Sequence, residues 1–150
     1  MENFEEELMT VHRNITLSCL QYVQGKADKI FIYFITERSL TTFDVFFKIG
    51  INYCYAHKVN DFLASDQAID TSNKAQNKML DEIFEDLEAF REIHEHYNRE
   101  RPTEARLVYD VNDGNLQWEY SYEKRYERDK NLIPSEEMEK WFEEVRSKNV

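Results

Sequence analysis

Apolar residues recur at helical spacing in three parts of the chain. Residues 3–24 repeat them at intervals of three and four, which predicts an amphipathic helix that Gly25 ends. Residues 76–100 show the same pattern and are followed by Pro102, as is common just beyond a helix. The predicted core stripe of this second helix is Leu80, Ile83, Leu87, Phe90 and His94.

The C-terminal sequence "LIPSEEMEKWFEEVR" predicts a third helix. Ser135 has a side chain that can cap its first turn. The predicted apolar face consists of Met138, Trp141, Phe142 and Val145.

The segments between the helices show the spacing of β-strands. Residues 29–38 are β-branched and aromatic on both faces, which predicts a central strand covered on both sides. Residues 41–49 alternate, and residues 51–59 follow as a further predicted strand. Gly50 between them either turns a hairpin or bends one long strand.

The sequence "YDVNDGNLQWEY", residues 109–120, is compatible with either a calcium loop or a hairpin. An EF-hand loop that begins at Asp110 needs a bidentate glutamate at its twelfth position, where the chain has Ser121. The spacing therefore favours the hairpin, and no metal site is expected here.

Asp113 and Gly114 suit the two central positions of a type I′ turn. This turn predicts the core-facing pairs Val111–Leu116, Tyr109–Trp118, Leu107–Tyr120 and Ala105–Tyr122. The whole pattern predicts an α+β fold over residues 1–150, a single domain in the order α-β-β-β-α-β-β-α with a mainly antiparallel sheet packed against helices.

The formal net charge of −11 is the strongest signal in the composition. It argues against a nucleic-acid partner and against docking on anionic membranes, and it is compatible with attraction to a basic protein. The polar N-terminus and the lack of a long apolar run predict a cytoplasmic protein. Cys19 and Cys54 are expected to be reduced core residues.

Candidate chemistry is sparse. His94 and His96 project about 200° apart on a helix and cannot share a metal ion. In the predicted hairpin, Asp110 and Glu119 are diagonal neighbours on the polar face, but Ser121 stands where a metal-dependent nuclease typically has lysine. We therefore expect no catalytic residue, metal or cofactor, and regard the protein as a non-enzyme.

The second helix carries a stripe of carboxylates. Arg91 is the only lysine or arginine between positions 79 and 95, whereas an ordinary solvated face mixes both signs of charge. Acidic residues three or four apart repel one another slightly. The stripe is either a solvated outer face or a surface that attracts a basic partner, and consists of Asp81, Glu85, Glu88, Glu92 and Glu95.

Four segments, in this order, resemble the YezG-type immunity proteins, antitoxins that neutralise secreted bacterial nuclease toxins. They are the aromatic strand pair "FDVFFKIGINYCYAHKV", the acidic helix "LDEIFEDLEAFREIHEHYNRERP", the hairpin "EARLVYDVNDGNLQWEYSYE" and the closing "KRYERDKNLIPSEEMEKW". The chain departs from that family in residues 60–75 and at Asn131, where the family has glycine.

The resemblance implies a cognate nuclease toxin domain as partner and implies no catalytic residues. The interface residues predicted for this partner are Asp81, Glu85, Glu88, Glu92, Asp110 and Glu119. Two alternatives remain: an adaptor unrelated to toxins, and an enzyme or ligand-binding domain with an aromatic pocket. The residues proposed to line that pocket are Tyr53, Tyr55, Tyr109 and Trp118.

Overall fold

The structure is a computed structural model that describes residues 3–150, so the first two residues of the predicted domain lie outside the described range. The helices are α1 (Phe4–Tyr22), α2 (Asn73–His96), α3 (Arg125–Arg128) and α4 (Pro134–Ser147). The strands are β1 (Lys29–Ile35), β2 (Thr42–Ile49), β3 (Asn52–Tyr55), β4 (Glu104–Asp110) and β5 (Leu116–Ser121). The predicted α+β order is confirmed, with α3 as an additional short helix.

The five strands form one antiparallel sheet in the order β3-β2-β1-β4-β5. β1 is the central strand, and every residue from Ile30 to Ile35 is buried. This agrees with the apolar character of both its faces.

Each face of the sheet is covered by a separate helix layer. α1 and α2 pack side by side over the face that carries Phe34 and Phe47, and they bury Cys19 and Phe90 there. α4 covers part of the opposite face through Trp141, whose ring lies 5.2–5.9 Å from the rings of Phe31, Tyr33 and Phe46. We call the first surface the two-helix face and the second the α4 face.

Gly50 turns a hairpin between β2 and β3. Ile49 pairs with Asn52, which leaves two residues in the turn, and Gly50 has a φ of +61° at the first of them. A positive φ at that position is typical of a type II′ turn and favours glycine. The predicted strand over residues 51–59 is too long, because a 3₁₀ helix begins at Ala56.

The predicted turn between β4 and β5 is wrong. The amide of Asp110 donates to the carbonyl of Asn115 over 2.9 Å, so the loop contains four residues rather than two. Gly114 has a φ of +71° but Asp113 has no positive φ, which excludes a type I′ turn. The Asp110 carboxylate holds this wider loop by accepting hydrogen bonds from the amides of Asn112 and Asp113.

The wider loop moves the β4–β5 register by two residues. Leu107 pairs with Trp118 and Tyr109 with Leu116. Because side chains alternate between the two faces of a strand with a period of two, the shift leaves each residue of β5 on its predicted face of the sheet. Trp118 is nevertheless 39% exposed, contrary to its predicted core position, because β5 is an edge strand.

Two details of the predicted helices are also wrong. In α2, Met79 rather than Leu80 is buried, and Leu80 is 38% exposed. In α4, Pro134 occupies the start of the helix and Ile133 the N-cap, so Ser135 is not the cap. The proline ring presets the backbone angle of the first helical residue, which explains this start.

His12 is a fully buried histidine on the two-helix face. Its Nε2 lies 2.7 Å from the hydroxyl of Tyr120, and its ring packs against Trp118 and Phe90. Burial, together with the nearby His94, lowers the pKa of His12 to about 4. The folded protein therefore holds this ring neutral while the unfolded chain takes up a proton near pH 6.5.

We expect the free energy of unfolding to fall as the pH decreases from 7 to 5, by about 2 kcal/mol from His12 alone. The folded-state pKa is depressed, so the unfolded state binds more protons throughout this window. His12→Gln should flatten the dependence, as measured by urea unfolding at both pH values. His57→Gln, at an exposed position, is the control. If the free energy of unfolding of the His12 variant falls with pH as steeply as that of the wild type, His12 is not the group responsible.

Candidate protein-binding site

The outer face of α2 carries a row of exposed carboxylates between positions 81 and 95. Ser72 caps the helix by accepting the amide proton of Ala75, and the buried stripe of Ile83, Leu87 and Phe90 fixes its orientation. The opposite side of the helix is exposed. We call it the acidic face, and its carboxylates are Asp81, Glu85, Glu88, Glu92 and Glu95.

None of the carboxylates of the acidic face forms an ion pair with another residue of the 3–150 range. Arg91 forms no ion pair with them, because its guanidinium donates to the carbonyls of Arg38 and Leu40 and to the hydroxyl of Thr41, although its charge acts on Glu88 and Glu95 at longer range. Repulsion among neighbouring carboxylates costs on the order of 1 kcal/mol over the stripe.

Helix α4 is the contrasting case within the same chain. Its Lys140 lies 2.8 Å from Glu137, and its Lys148 lies 3.0 Å from Glu144. These pairs are three and four residues apart, the spacing at which opposite charges stabilise a helix. Helix α2 has one such pair, between Lys78 and Glu82 at 2.7 Å, but the five carboxylates of the acidic face are not part of it.

Asp86 lies half-buried on the side of α2 that faces α1, and its pKa responds to both its burial and the neighbouring carboxylates. Burial and the neighbouring carboxylates of Glu82 and Glu85 raise the pKa of Asp86 to about 6. A negative charge at this site is therefore destabilising at neutral pH.

Two apolar side chains adjoin the acidic face. Phe84 is 47% exposed, and Leu80 lies one helical turn before it on the same side of α2. Neither is part of the core stripe. An exposed aromatic ring beside unpaired charges is the composition of a protein-binding surface, in which aromatic residues are enriched.

The structure brings only some of the predicted interface residues together. Asp81, Glu85, Glu88 and Glu92 share the acidic face, whereas Asp110 and Glu119 lie on the α4 face of the sheet. These two are not the predicted diagonal neighbours, because Glu119 pairs with Arg106 and Asp110 with Asn115. The Asp110 carboxylate is also occupied by its own loop.

The predicted aromatic pocket does not exist as one site. Tyr53 and Tyr55 pack on the α4 face, where Tyr55 stacks on Phe142 with ring centroids 4.7 Å apart. Tyr109 and Trp118 belong to the two-helix face. The sheet separates the two pairs.

A second polar site, which the sequence did not reveal, lies on the α4 face. Arg125 binds both Glu104 of β4 and Glu137 of α4, and the hydroxyl of Tyr33 donates to Glu104. Burial and the bonded Glu104 raise the pKa of Tyr33 to about 12, and hydrogen bonds from Lys140 and Arg125 lower the pKa of Glu137. These residues are neutralised by one another, so the cluster fastens α4 to the sheet.

Beside this cluster, a groove of about 630 Å³ runs between α4 and the β4–β5 hairpin. Its floor carries Arg106, whose guanidinium lies 5.0 Å from the ring centre of Tyr33 and 5.6 Å from that of Trp141. Arg106 and Arg125 lie in two of the segments that resemble the immunity proteins, but their sequence pattern assigned neither of them a role, because their partners are distant along the chain.

Neither a metal centre nor a membrane span is found in the part of the chain that the structure describes. No three His, Cys, Asp or Glu side chains among residues 3–150 are grouped to hold a metal ion. No helix in that range combines the length and the apolar character needed to cross a bilayer. Cys19 and Cys54 are buried and unpaired, as expected, and burial raises the pKa of the Cys54 thiol to about 11.

Comparison with known proteins does not extend these observations. No model of a protein family matches the chain. No curated protein matches it either. The function proposed below therefore depends on the residues and the geometry described above.

Asp86→Asn should stabilise the protein at pH 7 by about 1 kcal/mol, after discounting for the partial exposure of this residue. The folded-state pKa of Asp86 is raised, so the penalty of its charge appears as the pH rises from about 4 to 6 and is absent below that window. Chemical unfolding at pH 7 and pH 4 measures the difference. Glu95→Gln, an exposed change on the same helix, should have little effect. If Asp86→Asn stabilises the protein equally at pH 7 and pH 4, the gain does not come from removing the charge of Asp86.

Proposed function

We propose that this protein is an immunity protein, which binds a cognate secreted nuclease toxin and neutralises it through the acidic face of α2. The observation that carries the proposal is the row of exposed carboxylates that have no ion-pair partner among the described residues. The resemblance of four sequence segments to the YezG-type immunity proteins supports the same partner.

Charge complementarity explains why such a surface suits a nuclease. An enzyme that binds a polyanion needs basic side chains in its groove. A one-signed acidic helix face attracts that groove and accelerates association, provided its carboxylates are not already neutralised within the inhibitor. The repulsion along α2 is then a stability cost that binding relieves.

The apolar residues beside the acidic face supply the second component of an interface. Charged pairs chiefly set the rate of encounter, whereas buried aromatic anchors chiefly set the rate of dissociation. Phe84 is placed to act as such an anchor, since it is exposed and lies between the acidic face and Leu80.

The first test is whether a neighbouring gene encodes a secreted protein with a nuclease domain, and that domain is then the partner used in the experiments. Co-expression of the two should restore growth of cells that the nuclease domain alone kills, and the purified inhibitor should abolish nuclease activity. A stable complex that leaves the nuclease fully active would identify an adaptor instead. Failure to bind and to protect would refute the immunity function.

Reversing the charge of Glu85, Glu88 and Glu92 to lysine should slow association with this nuclease domain by about tenfold to a hundredfold at low salt. The salt dependence of the rate should also weaken. Stopped-flow measurements at two salt concentrations give both quantities, and thermal unfolding checks that the variant is folded.

The matched control reverses Asp66, Glu100 and Glu139, which are exposed and lie outside the acidic face. It makes the same change in net charge. If both triple variants slow association equally, the effect comes from overall charge, and the acidic face is not the interface.

Phe84→Ala should increase the dissociation rate roughly tenfold and leave the association rate nearly unchanged, since truncation of an aromatic anchor removes contacts made only in the complex. Ile133→Ala is the control, because Ile133 is 45% exposed on a different surface. Surface plasmon resonance measures both rates. Equal dissociation rates for wild type and the Phe84 variant would remove Phe84 from the interface.

A further inference from the structure

Strand β5 has an unused hydrogen-bonding edge. It is the last strand of the sheet. At the start of its pairing with β4, the amide of Asp110 donates a hydrogen bond to the carbonyl of Asn115. In an antiparallel ladder the bonded positions alternate, so the odd-numbered residues of β5 face β4. By this alternation the N–H and C=O groups of Leu116, Trp118 and Tyr120 point away from β4, on the side of β5 where the sheet ends.

This edge lacks the features that usually prevent strands from pairing between molecules. β5 contains neither proline nor lysine, its pairing with β4 runs without interruption, and Glu119 is its only charged residue. The other edge strand, β3, has four residues and is followed at once by a 3₁₀ helix. Only β5 offers a straight edge of six residues.

The two sides of the β5 edge differ in character: the two-helix side is largely apolar, and the α4 side mixes apolar and charged residues. On the two-helix face, a hollow of about 470 Å³ beside the strand is lined by Leu17, Leu20, Tyr109 and Leu116. Trp118 projects from the same face, next to His12. On the α4 face, the groove described above begins at Gln117. A strand added at this edge would place one set of its alternating side chains against the apolar surface beside Leu116 and Trp118, and the other set against the mixed lining of the groove.

We propose that the β5 edge is a self-association surface, at which a second copy of this chain pairs its own β5 antiparallel to the first. The two sheets then join into one ten-stranded sheet with a two-fold axis at Trp118. This surface belongs to a different element from the acidic face of α2, so the proposal does not depend on the immunity function.

The sequence of β5 selects the register of this pairing. The outward-facing N–H and C=O groups of the two copies can bond only when even-numbered residues of one β5 pair with even-numbered residues of the other. The two-fold axis of the pairing then passes through residue 117, 118 or 119. An axis at Glu119 sets two carboxylates opposite each other, which is destabilising. An axis at Gln117 leaves Tyr120 without a partner in the opposing strand.

The axis at Trp118 uses the whole edge. It pairs Leu116 with Tyr120 of the second copy and forms about six main-chain hydrogen bonds, two for each bonded pair. Glu119 then lies opposite the amide of Gln117 rather than another charge. These two residues form a non-hydrogen-bonded pair, in which side chains approach most closely.

The net charge of −11 on each copy opposes this association. Salt screens that repulsion beyond about 8–10 Å at physiological ionic strength. The dimer should therefore tighten as salt is added, whereas a complex with a basic protein should weaken. A short strand pair also buries less than a standard interface of about 800 Å² per partner, so we expect micromolar affinity.

The experiment is analytical ultracentrifugation of the full chain, with amide hydrogen exchange measured at low and high protein concentration. The expected result is a monomer–dimer equilibrium, with protection of the Leu116, Trp118 and Tyr120 amides that rises with concentration. A chain that stays monomeric up to about millimolar concentration, roughly a thousandfold above the micromolar dissociation constant expected for such an interface, would overturn the proposal. Dimerisation without protection of these amides would overturn it as well.

Two substitutions at the exposed Gln117 test the register. Gln117→Lys sets a lysine opposite Glu119 at two symmetric positions and should strengthen the dimer roughly threefold to tenfold, while Gln117→Glu should weaken it by a similar factor. Asn77→Lys and Asn77→Glu, on the exposed side of α2, make the same changes in net charge. If the Gln117 and Asn77 variants shift the dimer equally, the proposed pairing is wrong.

Discussion

The architecture depends on the burial of strand β1 on both of its faces. All residues from Ile30 to Ile35 are inaccessible to solvent, and each buried aliphatic or aromatic side chain of this size contributes about 1.5–3 kcal/mol. A strand of this composition is stable only between two layers. α1 and α2 provide one layer, α4 provides the other, and β2 and β4 satisfy the hydrogen bonds of both edges of β1.

Covering the sheet in this way decides which surfaces stay available. The apolar stripe of α2 faces inward, so its carboxylates are left on the outside. On the α4 face, the buried acids Glu104 and Glu137 are neutralised by Arg125. The two surfaces proposed for binding, the acidic face of α2 and the outer edge of β5, lie outside these packed layers.

The sequence predicted the elements better than their connections. Periodicity identified three helices, the doubly covered strand and the acidic face, because these depend on neighbours a few residues away. The type I′ turn predicted at Asp113 was wrong because other contacts outweighed the preference of the Asp-Gly dipeptide for that turn. The Asp110 carboxylate binds two loop amides, and the amide of Val111 donates to the carbonyl of Asp28.

The sequence by itself determined the order of the elements, the side of each that is apolar and the net negative charge. These follow from residue types and from spacings of two or three to four. Only the tertiary structure decided that β5 lies at an edge, which exposes Trp118, and that Arg125 reaches Glu104 across the fold. It also placed Tyr53 and Tyr109 on opposite faces of the sheet. Burial and pairing depend on elements that are distant along the chain, and no local pattern records which of them become neighbours.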